Sequence, residues 1–429
     1  MEKLKAGPLD GVVILDFTWV LAGPHATKTL ADMGAKVIKV ERYSDGSNER
    51  WLPYRTTHNG VTQSSYSINV NRGKRSICIN FKKPEGMQIL SDLIRKSDVL
   101  IENFAPDVME RMKLDYDSVK QIKSDIVYCS ISCFGHWGPY SHKPGYDMIA
   151  QGASGWSDQS LIPQIAPVSI GDMLASMHAT TAILGALVHH QKTGVGQNID
   201  ISMMDCLFSM HENTLPWYLL STAVGKPVDP PRVGPHHPGY APYGIYKGQD
   251  GYIAIACLTE PRWLPLVKVM GPDFEWLLTD PRAKDVSTRC SLANAPLIHE
   301  QVEKWVQSES SVREAERKLE DVGVPCIRCR SVKELADSDP HIQAREMMVT
   351  VEQPFIGPMR HYGSPLKMSE TPCGVRDYSP FLGEHNPEVL SEMLGYDQAK
   401  IKELYAQQVL YHEPCIEQMG EWRRRAATT

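Results

Sequence analysis

Short apolar segments alternate with helical patterns over residues 11–132, and this alternation restricts the chain to few folds. Residues 11–17, GVVILDF, are an apolar, β-branched run of the length of a buried strand. A helical pattern follows from Pro24 to Gly34, two residue types that commonly begin and end helices. Residues 36–41 repeat the strand pattern. A strand, a helix and a second strand predict a parallel pair joined by a right-handed crossover.

The same alternation continues along the chain. It predicts strands at 76–80, 98–102 and 126–132, and helices at 84–96 and 172–192. Strands that alternate with helices favour an α/β fold, with a Rossmann-like, doubly wound sheet covered by helices on both faces.

A change of composition in the Pro- and Gly-rich stretch 224–240 indicates a linker. A strand pair near 243–257 and charged helices within 297–322 follow it, and they predict a smaller α+β domain. Strand-like pieces return after residue 348, with a helix at 386–408, so the large domain is expected to be discontinuous. The expected boundaries are 1–222 for the first part of the large domain, 223–345 for the small domain with its linkers, and 346–429 for the second part with a surface tail from 411.

Charge and cysteine content argue against several classes of protein. The formal net charge is −6, which does not fit a nucleic-acid-binding protein. The N-terminus lacks the apolar segment of a signal peptide, and we identify no run of about 20 apolar residues that could span a bilayer. The ten cysteines are scattered, as in a reduced protein, and the single CxxC pair Cys326–Cys329 predicts no metal site. We therefore expect a cytoplasmic protein without a metal, membrane or nucleic-acid partner.

Small and basic residues lie at the predicted ends of the strands. The turn 21–24, Leu-Ala-Gly-Pro, would let a ligand approach the backbone at a helix N-terminus, although it is not a GxGxxG fingerprint. The cations beside the strand ends are Arg42, Arg72, Lys74, Arg75 and Arg111. Together they fit a ligand with several phosphates, whereas each alone fits an ordinary solvated surface charge.

The pair Gly171-Asp172 begins the longest predicted helix. An aspartate in a first helical turn often does no more than stabilise the helix. A carboxylate in this position can also attack a thioester, with neighbouring backbone N–H groups stabilising the oxyanion that forms. From the reference pKa of about 3.9 we expect Asp172 to be ionised at pH 7.

These residues belong to longer strings that resemble the class III CoA-transferases, a family that includes formyl-CoA, carnitine, 2-hydroxyacid and benzylsuccinate CoA-transferases. The matching strings run in family order from residue 9 to about residue 410. They include LDFTWVLAGPHATKTLADMGAKVIKVER (15–42), NRGKRSI (71–77), DVLIENFAPDVMERM (98–112), GHWGPYSHKPGYDMIAQGASG (135–155), GDMLASMHATTAILGAL (171–187), QKTGVGQNIDISMMD (191–205), APYGIYKGQDGYIAIA (241–256), GVPCIRC (323–329) and LGEHNPEVL (382–390).

The resemblance implies an interlocked dimer of two ring-like chains, each with a Rossmann-like large domain built from both chain ends and a small domain between them. It implies that Asp172 is the nucleophile and passes through an aspartyl anhydride and an aspartyl-CoA thioester, with no metal or redox cofactor. The positions that match CoA contacts of the family are Ala22, Arg42, Lys74, Asn103, Phe104 and Arg111.

The acyl pocket implied by the resemblance departs from the formyl-CoA enzymes. Tyr146 and Asp147 match residues that line it, but Leu21 replaces a glutamine, which argues against oxalate as a substrate. The loop 234–239 contains Pro and His instead of a run of glycines. Pocket-forming strings also contain Trp19, His25, Trp137 and Tyr140. Such a lining favours an aryl or branched acceptor such as benzylsuccinate, with succinyl-CoA as donor, although core packing would equally account for these aromatic residues.

Two alternatives remain open. The same fold hosts α-methylacyl-CoA racemases, which use a histidine in a Gly-His-Asp string. This chain has Tyr146 there, and a phenol of pKa near 10 is a poor base at pH 7. The other alternative is a CoA-binding subunit of a heteromeric transferase built from paralogous chains, in which the presence of Asp172 would make this chain the catalytic one.

Overall fold

The structure is a computed structural model that describes residues 5–52 and 54–426. Its contacts divide the chain into two compact units. Unit 1 combines Met1–Ser154, Ala166–Phe208 and Pro340–Thr429, and unit 2 combines Gly155–Ile165 with Ser209–Asp339. The domain boundaries expected from the sequence stay a prediction.

The strands are short, and most of them belong to unit 1. Their bounds are β1 Val13–Asp16, β2 Lys36–Arg42, β3 Arg55–His58, β4 Val61–Ser64, β5 Arg75–Ile79, β6 Val99–Glu102, β7 Val127–Ser132, β8 Asn198–Ser202, β9 Tyr243–Lys247, β10 Tyr252–Ala256, β11 Cys326–Arg328, β12 Met348–Gln353 and β13 Gly357–Tyr362.

Helices separate these strands. Their bounds are α1 Ala22–Asp32, α2 Ser65–Asn71, α3 Pro84–Arg95, α4 Val108–Met112, α5 Tyr116–Ile122, α6 Asp147–Ala153, α7 Ile170–Thr193, α8 Met203–Phe208, α9 Thr214–Ala223, α10 Glu260–Met270, α11 Val286–Arg289, α12 Ala295–Ser308, α13 Val312–Asp321, α14 Val332–Ser338, α15 Pro340–Ala344, α16 Asn386–Leu394, α17 Gln398–Ala406 and α18 Met419–Ala426. Short 3₁₀ helices occur at Asn48–Arg50, Ser157–Gln159, Pro272–Leu278 and Pro414–Gln418.

The central sheet of unit 1 has the strand order β5-β2-β1-β6-β7-β8, and all its neighbouring pairs are parallel. Leu15 of β1 lies beside Ile38 of β2 and Leu100 of β6, and all three side chains are fully buried. Such apolar strands are typical of a parallel sheet covered on both faces. The predicted α/β architecture with a parallel sheet is therefore confirmed. From β1 the sheet grows through β2 and β5 on one side and through β6, β7 and β8 on the other, so the strand order reverses between β1 and β6.

Unit 2 is built on a three-stranded antiparallel sheet of order β11-β10-β9. The strand pair expected near 243–257 is confirmed as β9 and β10. Helices α10, α12 and α13 contribute Leu266, Trp305 and Leu319 to a core that also contains Tyr246 of β9.

Two expectations for the C-terminal part were wrong. The single helix expected at 386–408 is two helices, because α16 ends at Gly395, whose φ of 69° is a left-handed conformation that suits glycine. The tail from residue 411 is not only a surface extension, since Cys415 and Met419 are buried in a cluster with Phe355. The side chains of the arginines at 423–425 lie outside the described residues.

Helix α7 corrects a further expectation, that no segment is long and apolar enough to cross a bilayer. By length and composition Ile170–Thr193 meets that description. In the structure this helix packs against α1 and against strands β7 and β8. These are the contacts of a helix that covers one face of the sheet, and its first turn carries Asp172.

Candidate active site

A cavity of about 110 Å³ lies beyond the carboxyl ends of the parallel strands in unit 1. The residues that follow β1 and β6 line it, so it sits where the strand order reverses. Open α/β sheets bind their ligands at this point. Its lining includes Trp19, Val20 and Leu21 after β1, Asn103 and Phe104 after β6, Cys133 and Phe134 after β7, Met203 after β8, then Lys143, Tyr146 and Asp172.

The turns after β1 and β6 are fastened to each other. The Trp19 backbone N–H donates to Asn103 Oδ1 at 2.8 Å, and Asn103 Nδ2 donates to the Trp19 carbonyl at 2.9 Å. The indole N–H of Trp19 also donates to the Asn103 carbonyl at 3.0 Å, and its ring stacks on Phe104 with centroids 6.2 Å apart. These bonds pair the backbone N–H and carbonyl of Trp19 and fix this part of the cavity wall.

Asp172 reaches the cavity from the first turn of α7. Asp147, at the start of α6, accepts hydrogen bonds through Oδ1 from the N–H groups of Gly171 (2.7 Å) and Asp172 (3.3 Å). Gln151 Nε2 donates to the other carboxylate oxygen of Asp147 at 2.7 Å and orients it. Position 171 needs glycine, because a Cβ there would lie 2.9 Å from Asp147 Oδ1. Asp147 therefore caps α7 and brings a second carboxylate close to Asp172.

This environment changes the ionisation of Asp172. Burial raises its pKa, the nearby charge of Asp147 raises it further, and together they bring it to about 7. The expectation that Asp172 is fully ionised at pH 7 was therefore wrong, since it rested on the pKa of an exposed carboxyl group. A carboxylate with a pKa near the working pH is a better nucleophile than one with a pKa of 3.8, provided that it is deprotonated.

Two other ionisable groups near Asp172 stay protonated at neutral pH. Burial raises the pKa of the Cys133 thiol to about 11, and the charges of Asp172 and Asp147 contribute. Burial also raises the pKa of the Tyr66 phenol on α2, helped by the charges of Asp172, Glu49 and Asp147. A neutral thiol is a weak nucleophile, so Asp172 is the group in this cavity suited to attack a thioester.

The aromatic and polar residues expected around the acyl group are only partly brought together. Trp19, Leu21 and Tyr146 line the cavity, as described above. Trp137 is 82% exposed, and Tyr140 packs against Phe134 with ring centroids 5.6 Å apart. His25 lies one turn into α1 and faces α7, where its Nδ1 is 2.8 Å from Ser176 Oγ. Burial and the nearby cations lower the pKa of His25 to about 3, so it is neutral at working pH.

The residues expected to contact CoA also separate into groups. Asn103 and Phe104 line the cavity, and Ala22 begins α1 beside it, whereas Arg42 and Arg111 are exposed side chains outside its lining. Arg42 lies at the end of β2, where its guanidinium bonds to the Gly46 carbonyl and to Asn48 Oδ1, each at 3.2 Å. Their roles in binding CoA stay predictions.

Lys74 differs from the other expected CoA contacts, because its side chain is fully buried. Its ammonium donates to Asp16 Oδ2 at 2.8 Å, to the Pro24 carbonyl at 3.1 Å and to Asn71 Oδ1 at 3.0 Å. Contact of Lys74 with a ligand would require these bonds to break, and in this structure the residue anchors the start of α1.

Sequence reasoning missed several residues of the site. Cys133, Phe134 and Lys143 line the cavity. Cys133 and Phe134 directly follow β7, and this position was a signal that could have identified them. Met203 follows β8, a strand that the sequence analysis did not recognise. The capping role of Asp147 had no signal in the sequence, because it depends on α6 and α7 meeting in space.

Comparison with known proteins identifies the family of this chain. Residues 9–386 match the model of CoA-transferase family III. The chain is 34% identical to a succinate–glutarate CoA-transferase of Agrobacterium fabrum, with 90% of this chain and 96% of the relative covered. It is 31% identical to the human succinyl-CoA:glutarate CoA-transferase, with 94% of this chain and 90% of the relative covered.

A solved structure is similar over nearly the whole chain. The crystal structure of a CAIB/BAIF family protein from Brucella suis superimposes with a TM-score of 0.77 and 32% sequence identity, covering 91% of this chain and all of that one. The chain belongs to CoA-transferase family III, and it is a CoA-transferase.

Proposed function

We propose that the enzyme moves CoA from succinyl-CoA to a second dicarboxylic acid through covalent intermediates on Asp172. The observation that carries the proposal is the position of Asp172 in a cavity at the reversal point of the sheet, with a pKa of about 7. Relatives that act on succinyl-CoA and glutarate support the donor and the class of acceptor.

In the first half of the reaction, the ionised carboxylate of Asp172 attacks the thioester carbonyl of the donor. The C–S bond breaks, CoA leaves as a thiolate, and a mixed anhydride remains. The thiolate then attacks the aspartyl carbonyl of this anhydride. The donor acid leaves as a carboxylate, and Asp172 carries CoA as a thioester.

The second half repeats these steps in reverse order with the acceptor. The acceptor carboxylate attacks the aspartyl thioester and gives a second anhydride and a free thiolate. The thiolate attacks the acyl carbonyl of the acceptor, which releases the new acyl-CoA and regenerates the Asp172 carboxylate. No proton is gained or lost over the cycle, so the residues around the cavity need to exclude water and hold the intermediates.

The lining suggests how a dicarboxylic acid is held. Lys143 lines the cavity, and its ammonium lies 4.1 Å from the centroid of the exposed Tyr140 ring. By turning from this ring towards the cavity, the ammonium would balance the distal carboxylate of a succinate-like acid. Trp19, Leu21 and Phe104 provide apolar surface for a substituent. An aryl-substituted succinate such as benzylsuccinate fits both features, and unsubstituted glutarate fits the first.

The racemase alternative is less well supported. Its chemistry needs a base that takes a proton next to the thioester, and Tyr146 stands where the racemases have their histidine. Asp172 alone would leave one face of the substrate without a base.

We further propose that the enzyme is a cytoplasmic dimer. Exposed apolar side chains occur on α7 (Met177, 60% exposed, and Val188, 49%) and on α9 (Leu219, 55%, and Leu220, 66%). Apolar surface of this kind is typical of an interface. Light scattering on the purified enzyme measures its mass, and we expect the mass of a dimer. A stable, active monomer would contradict the proposal. If the enzyme instead forms a heteromer with a paralogous chain, CoA transfer would be measured only after that chain is added.

The proposed reaction is tested by mixing the purified enzyme with succinyl-CoA and a panel of acids. Glutarate, malate, mesaconate, benzylsuccinate and oxalate form the panel, and the acyl-CoA products are identified by mass. We expect new acyl-CoA from the dicarboxylic acids with four or more carbons, and little from oxalate. Preference for oxalate, or exchange of an α-proton without CoA transfer, would overturn the proposal.

Two aspartate variants locate the reaction. Asp172→Asn should lose nearly all transfer. Asp117→Asn is the matched control, because Asp117 is also an aspartate in the first turn of a helix, α5, but is exposed and does not line the cavity. The control should keep the activity of the unmodified enzyme.

A further inference from the structure

The turn that carries the cavity wall after β1 has an unusual backbone. Val20 has a φ of 63°, and a β-branched residue rarely adopts this left-handed conformation. Val20 lies between Trp19 and Leu21, and all three residues line the cavity that contains Asp172. Backbone strain of this kind persists only where surrounding groups fix it, and it concentrates at functional sites.

Two side chains hold this turn from opposite sides. Asn103 binds the backbone of Trp19, as described above. On the other side the Val20 N–H donates to Glu49 Oε2 at 3.0 Å. Glu49 lies on the 3₁₀ helix Asn48–Arg50 and is completely buried. A buried carboxylate in contact with a backbone N–H next to the cavity calls for an explanation, because burying a charge costs free energy.

The two oxygens of the Glu49 carboxylate have different partners. Oε1 lies 3.1 Å from the ammonium of Lys39, accepts from Ser47 Oγ at 2.6 Å and accepts from Asn71 Nδ2 at 3.2 Å. Oε2 accepts from the Val20 N–H. One oxygen therefore anchors the side chain in the interior, and the other is left to hold the turn.

Neutralising Lys39 does not by itself account for this arrangement. The ammonium of Lys39 also lies 3.9 Å from Asp16 Oδ1 and donates to the Thr18 carbonyl. The closest contact of the ion pair with Glu49 is made by Oε1, so the pair does not account for the bond between Oε2 and the Val20 N–H. The Glu49 carboxylate thus connects the buried ammonium of Lys39 with Val20, the strained residue in the cavity wall.

We propose that Glu49 is a positioning residue that holds Val20 in its left-handed conformation and thereby sets the wall of the cavity facing Asp172. This inference rests on the proposed CoA transfer. Without the bond to Glu49, Val20 relaxes towards an ordinary conformation and moves Trp19 and Leu21. The anhydride and thioester intermediates then lose their alignment, and a displacement of about 1 Å can reduce catalysis by about 100-fold.

The test begins with Glu49→Gln, assayed for kcat and KM with succinyl-CoA and the best acceptor of the panel. We expect kcat to fall about tenfold or more, beyond any loss of folded enzyme measured by circular dichroism. Transfer by the unmodified enzyme is measured first. If that enzyme transfers no CoA, the proposed function fails; if it does and Glu49→Gln keeps its kcat, the positioning role alone fails.

Rescue by glycine separates positioning from a structural role. Glycine adopts a φ of 63° without strain, so Val20→Gly should reduce the need for Glu49. We expect Glu49→Gln to lower kcat much less in the Val20→Gly background than in the Val20 background. An equal loss in both backgrounds would mean that Glu49 acts only through Lys39 and would overturn the proposal.

Glu41→Gln is the matched control. Glu41 is a buried carboxylate of the same charged region, which binds Arg50 Nε and NH2, each at 2.7 Å, and Ser76 Oγ, and which shares the Ser47 hydroxyl with Glu49. Glu41 differs from Glu49 in that none of these partners lines the cavity. Its removal should lower the melting temperature while changing kcat much less than Glu49→Gln does. A similar fall of kcat in both variants would contradict a specific role of Glu49.

A charge-conserving variant covers the case in which Glu49→Gln does not fold. Glu49→Asp keeps a carboxylate near Lys39, but its shorter side chain withdraws from Val20. We expect a folded enzyme with a reduced kcat that Val20→Gly partly restores. A kcat equal to that of the unmodified enzyme would overturn the proposal.

Discussion

At the scale of single residues, the proposed chemistry depends on two carboxylates that meet at the start of α7. Asp147 accepts from the N–H groups of Gly171 and Asp172, and its charge adds to the effect of burial on the pKa of Asp172. The sequence identified Asp172 through its resemblance to the family, but its reference pKa gave the wrong ionisation. Burial and the contact with Asp147 depend on the folded structure, and these determine the pKa.

The pH dependence of the reaction should report this pKa. Only ionised Asp172 attacks, so we expect kcat/KM for succinyl-CoA to rise with pH and to level off above about 7. In Asp147→Asn the like charge is absent, and the midpoint should move to lower pH. Burial, the larger cause, remains, so the midpoint should stay above the value of 3.8 for an unperturbed aspartate. A midpoint that does not move would show that Asp147 does not act on Asp172 through its charge.

The contribution of Asp172 to stability should change with pH in the opposite sense to activity. Its pKa is higher in the folded state than in the unfolded chain, so between about pH 4 and 7 this carboxyl group binds more protons in the folded state, and its contribution to stability falls as pH rises. Asp172→Asn removes this loss of stability, because asparagine does not ionise. One pKa unit corresponds to about 1.4 kcal/mol, so the variant should gain on the order of 2–4 kcal/mol above pH 7 and little below pH 4.

Denaturant unfolding at several pH values measures this gain. Asp117→Asn is again the control, and its effect on the free energy of unfolding should not follow the pattern of Asp172→Asn. A gain for Asp172→Asn that is the same at pH 4 and pH 8 would contradict the raised pKa.

At the scale of secondary-structure elements, the site is assembled from the segments that follow parallel strands. The sequence predicted β1, β2, β5, β6 and β7 because their apolar, β-branched runs are distinctive. It missed β8 and the β3–β4 hairpin, where polar residues such as those of Arg55–His58 are exposed and give little apolar signal. The turns after β1 and β6 could be placed at the same sheet edge, but not their mutual hydrogen bonds, which need side-chain coordinates.

The fastening of these two turns can be tested at Asn103. Asn103→Ala removes the amide that binds the Trp19 N–H and carbonyl, and leaves these groups unpaired. We expect a loss of about 1–3 kcal/mol in the free energy of unfolding and a higher KM for succinyl-CoA. Asn198→Ala, an exposed asparagine at the opposite end of β8, should change neither quantity. An Asn103→Ala enzyme with normal stability and KM would contradict the claim that Asn103 holds the turns after β1 and β6 together.

At the scale of the whole molecule, the chain has a parallel α/β unit and a smaller unit around an antiparallel sheet. The α/β class was readable from the alternation of strands and helices, because local periodicity reports it directly. The burial of Lys74 and Glu49 was not readable, since charged residues are expected at the surface until their partners are known. The family comparisons identify a CoA-transferase, and the geometry of unit 1 assigns Asp172 a site suited to that chemistry.

Covalent trapping shows whether Asp172 carries the acyl group and CoA in turn. The enzyme is incubated with succinyl-CoA alone, quenched with hydroxylamine, digested and analysed by peptide mass spectrometry. We predict a hydroxamate on Asp172 that forms only when succinyl-CoA is present, and none on the control residue Asp117. An enzyme that transfers CoA while Asp172 stays unmodified, or a hydroxamate on another carboxylate, would contradict the account.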